Sequence, residues 1–370
     1  MIPDPERSSN RVHMETQRYS RQMRLPEIGL EGQDRLLKAS VLCVGAGGLG
    51  SPALLYLAAA GVGRIGIVDF DCVDETNLQR QVLFSTDMIG QPKAQEAVRR
   101  IRQLNPDIQA ENYNAELDVE SATRLFPAYD IILDGTDNFE TKFLINDAAV
   151  KFGKPWIYGA IQGFDGQVSV FNDRGGPCYR CFQPENPRAT VMNCAEAGVI
   201  GAIAGIIGVT QALQAIQLIT RHPSFDPLVG KLWTLDARTM QTRKLSLRKE
   251  AHCSICSHDP GGVILEYTRL DCATVTEFSA SQLRKNNNYN LIDVREDIEW
   301  QQGHIEGATL WPLSKLLMSD MPHISKNAEI VVYCQTGARS TRAAQILRSH
   351  GFSRVANLTG GYIAWSKECK

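Results

Sequence analysis

The sequence has no excess of charge of either sign: 39 Lys and Arg stand against 41 Asp and Glu over 370 residues, a net charge of -2. That balance excludes a general attraction to nucleic acid or to an anionic membrane and leaves any basic patch local. An uninterrupted apolar run is lacking too. The most apolar stretch, GVIGAIAGIIGV at residues 198–209 and its continuation to Thr220, is broken by Gln211, Gln214 and Gln217, whereas a membrane span needs roughly 20 nearly uninterrupted apolar residues. It reads instead as a buried helix whose small residues allow close packing. Residues 1–22 are polar and charged and lack the apolar core of a signal peptide, so a cytoplasmic location is expected. There is no internal repeat, and the Asn run at 286–288 reads as a turn. In that setting the 10 cysteines point to metal ligands, nucleophiles or buried small residues rather than to a disulfide framework.

What is present is ample material for cores, 43 % hydrophobic residues, and a length that suggests two or three domains at about 150 residues each. From Ser40 to Tyr158 short β-rich runs alternate with helical segments. SVLCV (40–44) leads through glycines into an apolar helix at 52–60, RIGIVDF (64–70) is a second strand, residues 93–104 form an amphipathic helix, and DIILD (130–134) is a third strand. Such alternation predicts a parallel sheet covered by helices. SHDPGG (257–262) reads as a linker or exit turn. Beyond it YNLIDVR and AEIVVYC are strands, and residues 340–350 form a helix with a basic face.

VGAGGLG (44–50) places Gly45, Gly47 and Gly50 in a G-x-G-x-x-G pattern between a strand and a helix. Glycine lets backbone approach phosphate oxygens, and a helix N-terminus favours negative charge. Asp69 closes the next strand, where a carboxylate can accept from ribose hydroxyls. Arg80 in TNLQRQ (76–81) and Lys93 supply two cations, which suit a triphosphate better than a dinucleotide held by backbone amides. DGTDNFETK (134–142) sets Asp137 and Asn138 just past a strand, at the edge where open α/β sheets bind ligands, and a carboxylate there suits magnesium.

Together RYSRQMRLPEIGLEGQ (18–33), GAGGLG, DFD with NLQRQ, Lys93 and DGTDN resemble the ubiquitin-activating-like adenylyltransferases that act on molybdopterin-synthase and thiamine sulfur carriers. The resemblance implies a Rossmann-like, ThiF-type adenylation domain over residues 1–258. It further implies that ATP and magnesium adenylate the C-terminal glycine carboxylate of a small ubiquitin-like sulfur carrier ending in Gly-Gly. By motif position Gly48, Asp69, Thr76 and Asn77 would face the nucleotide, Arg80 and Lys93 its phosphates, and Asp137, beside Asn138, the metal. Arg21 would reach the phosphates of a partner subunit, which implies a homodimer. Thr76 stands where the family usually has serine, and the hydroxyl survives.

CYRC (Cys178, Cys181) and CSIC (Cys253, Cys256) are two C-x-x-C pairs, each able to give two thiolates to one tetrahedral zinc. Their separation exceeds that of a zinc ribbon, and a redox pair is the alternative; the resemblance implies a structural four-cysteine zinc site. Cys194, in VMNCAEAGV, follows Pro184 and Pro187. A buried inert thiol is its ordinary reading; the resemblance implies attack on an acyl-adenylate to form a thioester or acyl disulfide. Cys43 lies on a strand and reads as core.

CQTGARS (334–340) ends a strand with Cys334 and opens a helix near Ser340. Backbone amides of residues 335–339 can curl around the sulfur as an anion nest, with Arg339 adding positive charge, surroundings that favour a nucleophilic thiolate. Four residues separate Cys334 from Arg339, one fewer than in a phosphatase loop. LIDVRE (291–296), GHIEGA (303–308), CQTGARS and GGYIAW (360–365) resemble a rhodanese domain. The expected organisation is therefore an adenylation domain, a linker at 259–268 and a rhodanese α/β domain at 269–370. The resemblance implies a Cys334 persulfide loaded by thiosulfate or by a persulfide protein. Asp293 and Arg295 are expected to pair and brace the fold, and His304 to be surface or scaffold. The combined expectation is an adenylyltransferase and sulfurtransferase that makes a carrier thiocarboxylate. An activator for ubiquitin-like conjugation with an accessory sulfurtransferase, and a non-enzymatic nucleotide-sensing scaffold, are the competing readings.

Overall fold

The computed structural model describes residues 17–185, 198–265, 275–285, 289–317 and 320–367, and the chain divides into two compact units, the second holding everything from Thr268 onward. In the first unit β1 (Ser40–Val44), β2 (Arg64–Val68), β3 (Gln109–Tyr113), β4 (Ile131–Asp134), β5 (Trp156–Gln162), β6 (Asp165–Phe171), β7 (Lys231–Asp236) and β8 (Gln241–Ser246) form one sheet in the order β3-β2-β1-β4-β5-β6-β7-β8. The strands from β3 to β5 run parallel, as the alternation predicts, and β6 to β8 extend the sheet antiparallel. β1 is buried along its whole length, which is why it reads as a continuous apolar run, the mark of a parallel strand covered on both faces.

The covering helices follow from periodicity. Lys93–Leu104 buries Ala94, Ala97, Val98 and Ile101, a single stripe at helical spacing, and ends at buried Asn105, whose Nδ2 donates to Tyr19 Oη and Ala58 O at 2.7 Å each. The apolar helix Gly201–Thr220 lies in the same core, with Ile203, Ala204, Ile207, Ala212, Ala215 and Leu218 buried. A Cβ on Gly208 would stand 2.3 Å from Leu49 O, so the small residue is needed for close approach, as the sequence suggested. Gln211 is fully buried there and Nε2 donates to Asp134 O at 2.7 Å and Ile157 O at 3.1 Å.

The second unit is a parallel five-stranded sheet of β9 (Thr276–Phe278), β10 (Asn290–Asp293), β11 (Thr309–Leu310), β12 (Glu329–Tyr333) and β13 (Arg354–Leu358) in the order β11-β10-β12-β13-β9. Along β12 Ile330, Val332 and the following Cys334 enter one apolar cluster while Val331 and Tyr333 enter another. That period-two split is what a strand buried on both faces produces.

Three segments differ from the sequence expectation. β3 reads QAENY and is an edge strand, too polar to be recognised by pattern. The helix after Cys334 begins at Ala338, earlier than Ser340. The stretch after the CSIC pair forms a short 3-10 turn, Pro260–Gly262, and stays on the first unit, where Val263 is buried beside Cys178 and Cys253 and its carbonyl accepts from Lys151 Nζ at 2.6 Å. The Asn run at 286–288 lies outside the described residues.

Candidate functional site

The glycine loop sits between β1 and β4, where the strand order reverses direction, the point at which an open α/β sheet forms a crevice. Its glycines do two different jobs. Gly45 has φ +91°, and Cβ atoms built on Gly50 and Gly135 would stand 2.0 Å and 2.4 Å from Gly45 O. These three exist so that the two turns can touch. Cβ atoms built on Gly47 and Gly48 meet nothing closer than 3.8 Å and 3.4 Å among the described residues, so no described residue crowds the backbone there. Beside it Gln81 is buried and its Oε1 has no hydrogen-bond partner among the described residues. An open glycine cradle and an unmatched acceptor fit a bound polar ligand.

Asp69 both shapes and faces this loop. Its Oδ2 accepts from Ala46 N at 2.8 Å and its Oδ1 from Asp71 N at 2.9 Å. Burial pushes the carboxyl above its ordinary value, while the Lys93 ammonium and the two amides pull against it. Asp71 in turn holds Lys93: its Oδ2 is 2.9 Å from Nζ and its carbonyl accepts the Lys93 amide at 2.8 Å. Asp74 caps the 3-10 turn Glu75–Asn77, accepting from Thr76 N at 2.9 Å and from Thr76 Oγ1 at 2.5 Å. Asn77 Nδ2 donates to Thr76 Oγ1 at 3.3 Å, and half-buried Arg80 donates to Thr76 O at 3.1 Å. Gly48 lies 3.6 Å from the Arg80 side chain by its built Cβ. Asp137 is exposed past β4, and Asn138 caps the helix Phe139–Lys151 by accepting from Thr141 N at 2.8 Å. Arg21 is exposed on the short helix Ser20–Met23, with no ion pair among the described residues.

Two residues under this site escaped the sequence reading. Asp134 is fully buried, and Lys142 Nζ donates to its Oδ2 at 2.6 Å, to Thr136 O at 3.0 Å and to Gly159 O at 2.9 Å. All three ammonium protons are matched, so the pair pins the turn that carries Asp137. The signal was an acid ending an apolar strand with a lysine two helical turns on.

The four expected metal-site cysteines converge. Cys178 Sγ lies 3.9 Å from Cys181 Sγ and 3.6 Å from Cys253 Sγ, and Cys181 Sγ lies 3.4 Å from Cys256 Sγ. All four sulfurs fall within 4.8 Å of one another. The helix Tyr179–Phe182 is held there by Arg180, which grips Asp147 through two bonds of 2.8 Å and 2.7 Å. Cys43 is core, as expected, and burial pushes its thiol well up. Cys194 lies outside the described residues.

In the second unit Cys334 follows β12 and is 1 % exposed. Gly337 N donates to its Sγ at 3.1 Å and Ser340 Oγ lies 3.4 Å from it. Gly337, at φ +107°, caps the helix Ala338–Ser349, so the sulfur sits at a helix N-terminus. Gly361 passes beneath the loop at φ +58°, and a Cβ there would meet Cys334 O at 2.4 Å. Asp293 and Arg295 pair at 2.8 Å in full burial, as expected, and Arg295 also donates to Gln335 Oε1 at 2.9 Å. His304 stacks on Trp300 at 3.7 Å, a surface scaffold. Arg339 acts electrostatically on the Cys334 sulfur, as expected, but both of its terminal nitrogens are also engaged by Glu299, at 2.7 Å and 2.6 Å. The carboxylate offsets part of the positive charge beside the sulfur.

A nucleotide-type crevice at a sheet's switch point and a cysteine nest in a separate parallel unit define a two-chemistry enzyme. Residues 19–257 match the ThiF family and residues 277–368 the rhodanese-like domain; the chain belongs to the ThiF family and carries a rhodanese-like domain after it. It is 41 % identical over 96 % of its length to a probable adenylyltransferase/sulfurtransferase MoeZ of Mycobacterium tuberculosis, covering 93 % of that protein. It is 38 % identical over 95 % of its length to an adenylyltransferase and sulfurtransferase MOCS3 of Anopheles gambiae, covering 87 % of it. The first unit is 46 % identical to a sulfur carrier protein adenylyltransferase of Thermus thermophilus, over 66 % of this chain and 92 % of that one. Crystal structures of E. coli MccB share the fold, one with a TM-score of 0.59 at 22 % identity over 66 % of this chain and 75 % of the other. The protein is an adenylyltransferase joined to a sulfurtransferase.

Proposed function

We propose that the chain adenylates the C-terminal glycine of a ubiquitin-like sulfur carrier and then converts that carboxylate to a thiocarboxylate. The observation that carries the reading is the pairing, in one chain, of an unfilled glycine cradle at Gly47 and Gly48 with a cysteine held at a helix N-terminus. The carrier carboxylate attacks the α-phosphorus of ATP, a P–O bond breaks, and pyrophosphate leaves with the electron pair. The nucleophile is already ionised at neutral pH, so no general base is required. Two anions must meet, and the leaving group gains charge, so Arg80, Lys93 and Arg21 act by electrostatic stabilisation. Asp69 positions the loop and accepts from the ribose, with Thr76 and Asn77 on the rim. Asp137, beside Asn138, would hold magnesium, which would supply positive charge to offset that of the phosphates.

The terminal sulfur of a Cys334 persulfide then attacks the acyl carbon, AMP leaves, and a second thiol cleaves the S–S bond to free the thiocarboxylate. Cys194 is the sequence candidate for a preceding attack on the acyl-adenylate, which would form a thioester or an acyl disulfide. The four-cysteine cluster suits zinc, since thiolates about 2.3 Å from a tetrahedral ion stand about 3.8 Å apart. Burial and neighbouring thiolates push Cys178 up, and burial pushes Cys256 to about 11, so a cation is what would hold these two ionised at neutral pH. A cytoplasmic homodimer is part of this reading. Ile206 and Leu213 are 37 % and 51 % exposed on the otherwise packed Gly201–Thr220 helix, an apolar edge that a second copy would cover. The test is pyrophosphate–ATP exchange with magnesium and a carrier ending in Gly-Gly. Exchange that requires the Gly-Gly carboxylate is expected; exchange indifferent to the carrier, or none, overturns the reading.

A further inference from the structure

Among the described residues, each guanidinium at the loop around Cys334 is paired with a carboxylate. Arg339 gives both terminal nitrogens to Glu299 at 2.7 Å and 2.6 Å. Arg295, joined to the loop through Gln335, is paired with Asp293. Glu296 caps the helix on which Glu299 sits, and its field also acts on Arg339. Asp293, Glu296 and Glu299 therefore face Arg295 and Arg339, and the balance is not positive. A guanidinium fork grips planar or tetrahedral oxyanions through the same paired N–H groups that it offers a carboxylate. Glu299 takes one donor on each terminal nitrogen and sets its own negative charge where an incoming oxyanion would meet the fork.

We propose that Glu299 is a specificity-determining residue of the sulfurtransferase unit: by occupying Arg339 it disfavours dianionic oxyanion donors such as thiosulfate and leaves thiol persulfides as the class that loads Cys334. Glu299 acts through Arg339 and is a positioning residue. The inference rests on Cys334 being the sulfur acceptor. In either loading the Cys334 thiolate attacks the outer sulfur of the donor and the donor's S–S bond breaks. The electron pair leaves on sulfite in one case and on the donor thiolate in the other, so no outside oxidant or reductant is required.

The test compares thiosulfate and glutathione persulfide as donors, with cyanide as acceptor and thiocyanate as product, using the full chain. Glu299→Gln keeps the side-chain volume and removes the charge. It raises kcat/KM for thiosulfate about tenfold, chiefly through KM, as expected for deleting one charge beside a bound anion. Persulfide use changes less than about twofold, because that donor does not draw on the guanidinium. Glu299→Asp restores the original preference, and adding Arg339→Gln to Glu299→Gln abolishes the gain. Arg339→Gln alone, which leaves Glu299 unmatched, shifts the ratio the opposite way. An unchanged thiosulfate-to-persulfide ratio in Glu299→Gln, or an equal fall with both donors, overturns the proposal. Sulfur transfer that persists in Cys334→Ala overturns the acceptor assignment instead, so the two failures are distinguishable.

Discussion

At the scale of single residues, the glycine motif separates into parts that fold the chain and parts that face a ligand. Gly50→Ala would drive a Cβ to within 2.0 Å of Gly45 O, an overlap with backbone that cannot swing away and that costs at least about 3 kcal/mol. Gly48→Ala meets only Ala204 and Arg80 side chains at 3.4 Å and 3.6 Å, so thermal unfolding should move by less than about 2 °C. The added methyl instead lands against Arg80, the cation assigned to the phosphates, and the KM for ATP in pyrophosphate exchange should rise about tenfold or more, each tenfold being 1.4 kcal/mol of lost binding. A Gly48→Ala protein with unchanged ATP affinity would show that the cradle holds no phosphate. The motif was legible in the sequence, but its division of labour was not, because it depends on the positive φ of Gly45 and on Gly45 O lying 2.0 Å from a Cβ on Gly50, neither of which the spacing reveals. Arg339 teaches the same lesson: its sequence position next to the cysteine loop was readable, whereas its partner Glu299 lies 40 positions away.

At the scale of elements, buried parallel strands declared themselves and edge strands did not. β1 and β12 are apolar runs bounded by glycine loops, and both stand where the pattern placed them. β3 and β8 carry exposed polar side chains at the two ends of the sheet, so nothing in their composition separates them from loops. The join between β2 and the edge strand β3 is electrostatic. Arg64 grips Glu111 at 2.9 Å and 3.0 Å, and Tyr113 and Tyr129 donate to Glu111 Oε2 at 2.6 Å and 3.2 Å. The Arg64 guanidinium, ahead of the tyrosine hydroxyls, lowers the Glu111 pKa from 4.5 to about 2. Between those values the unfolded chain binds the proton and the folded one does not. The stabilisation is therefore whole above pH 4.5 and is lost as pH falls through about 2. Because the carboxyl is 39 % exposed, solvent screening holds the contribution to about 1 kcal/mol. Glu111→Gln should lower stability at pH 7 and flatten its decline between pH 4.5 and 2, measured by urea unfolding at stepped pH. An unchanged slope would remove Glu111 from the acid response.

At the scale of the whole molecule, an activated carboxylate made by one unit and a sulfur nucleophile made by the other share a single chain, which raises their effective concentration without any added contact. Both units were legible because each carries several motifs in order. The four-cysteine cluster was legible through the resemblance and not through spacing, since 75 residues separate the members of its two closest cross pairs. The division of chemistry predicts that Cys334→Ala keeps carrier-dependent pyrophosphate exchange near the parent rate while sulfur transfer is lost. The most direct measurement is the intact mass of a Gly-Gly carrier after incubation with the protein, ATP, magnesium and a persulfide donor. The account predicts a gain equal to one oxygen replaced by sulfur, abolished by Cys334→Ala and by omission of ATP. A carrier of unchanged mass, or the same gain formed without ATP, contradicts it.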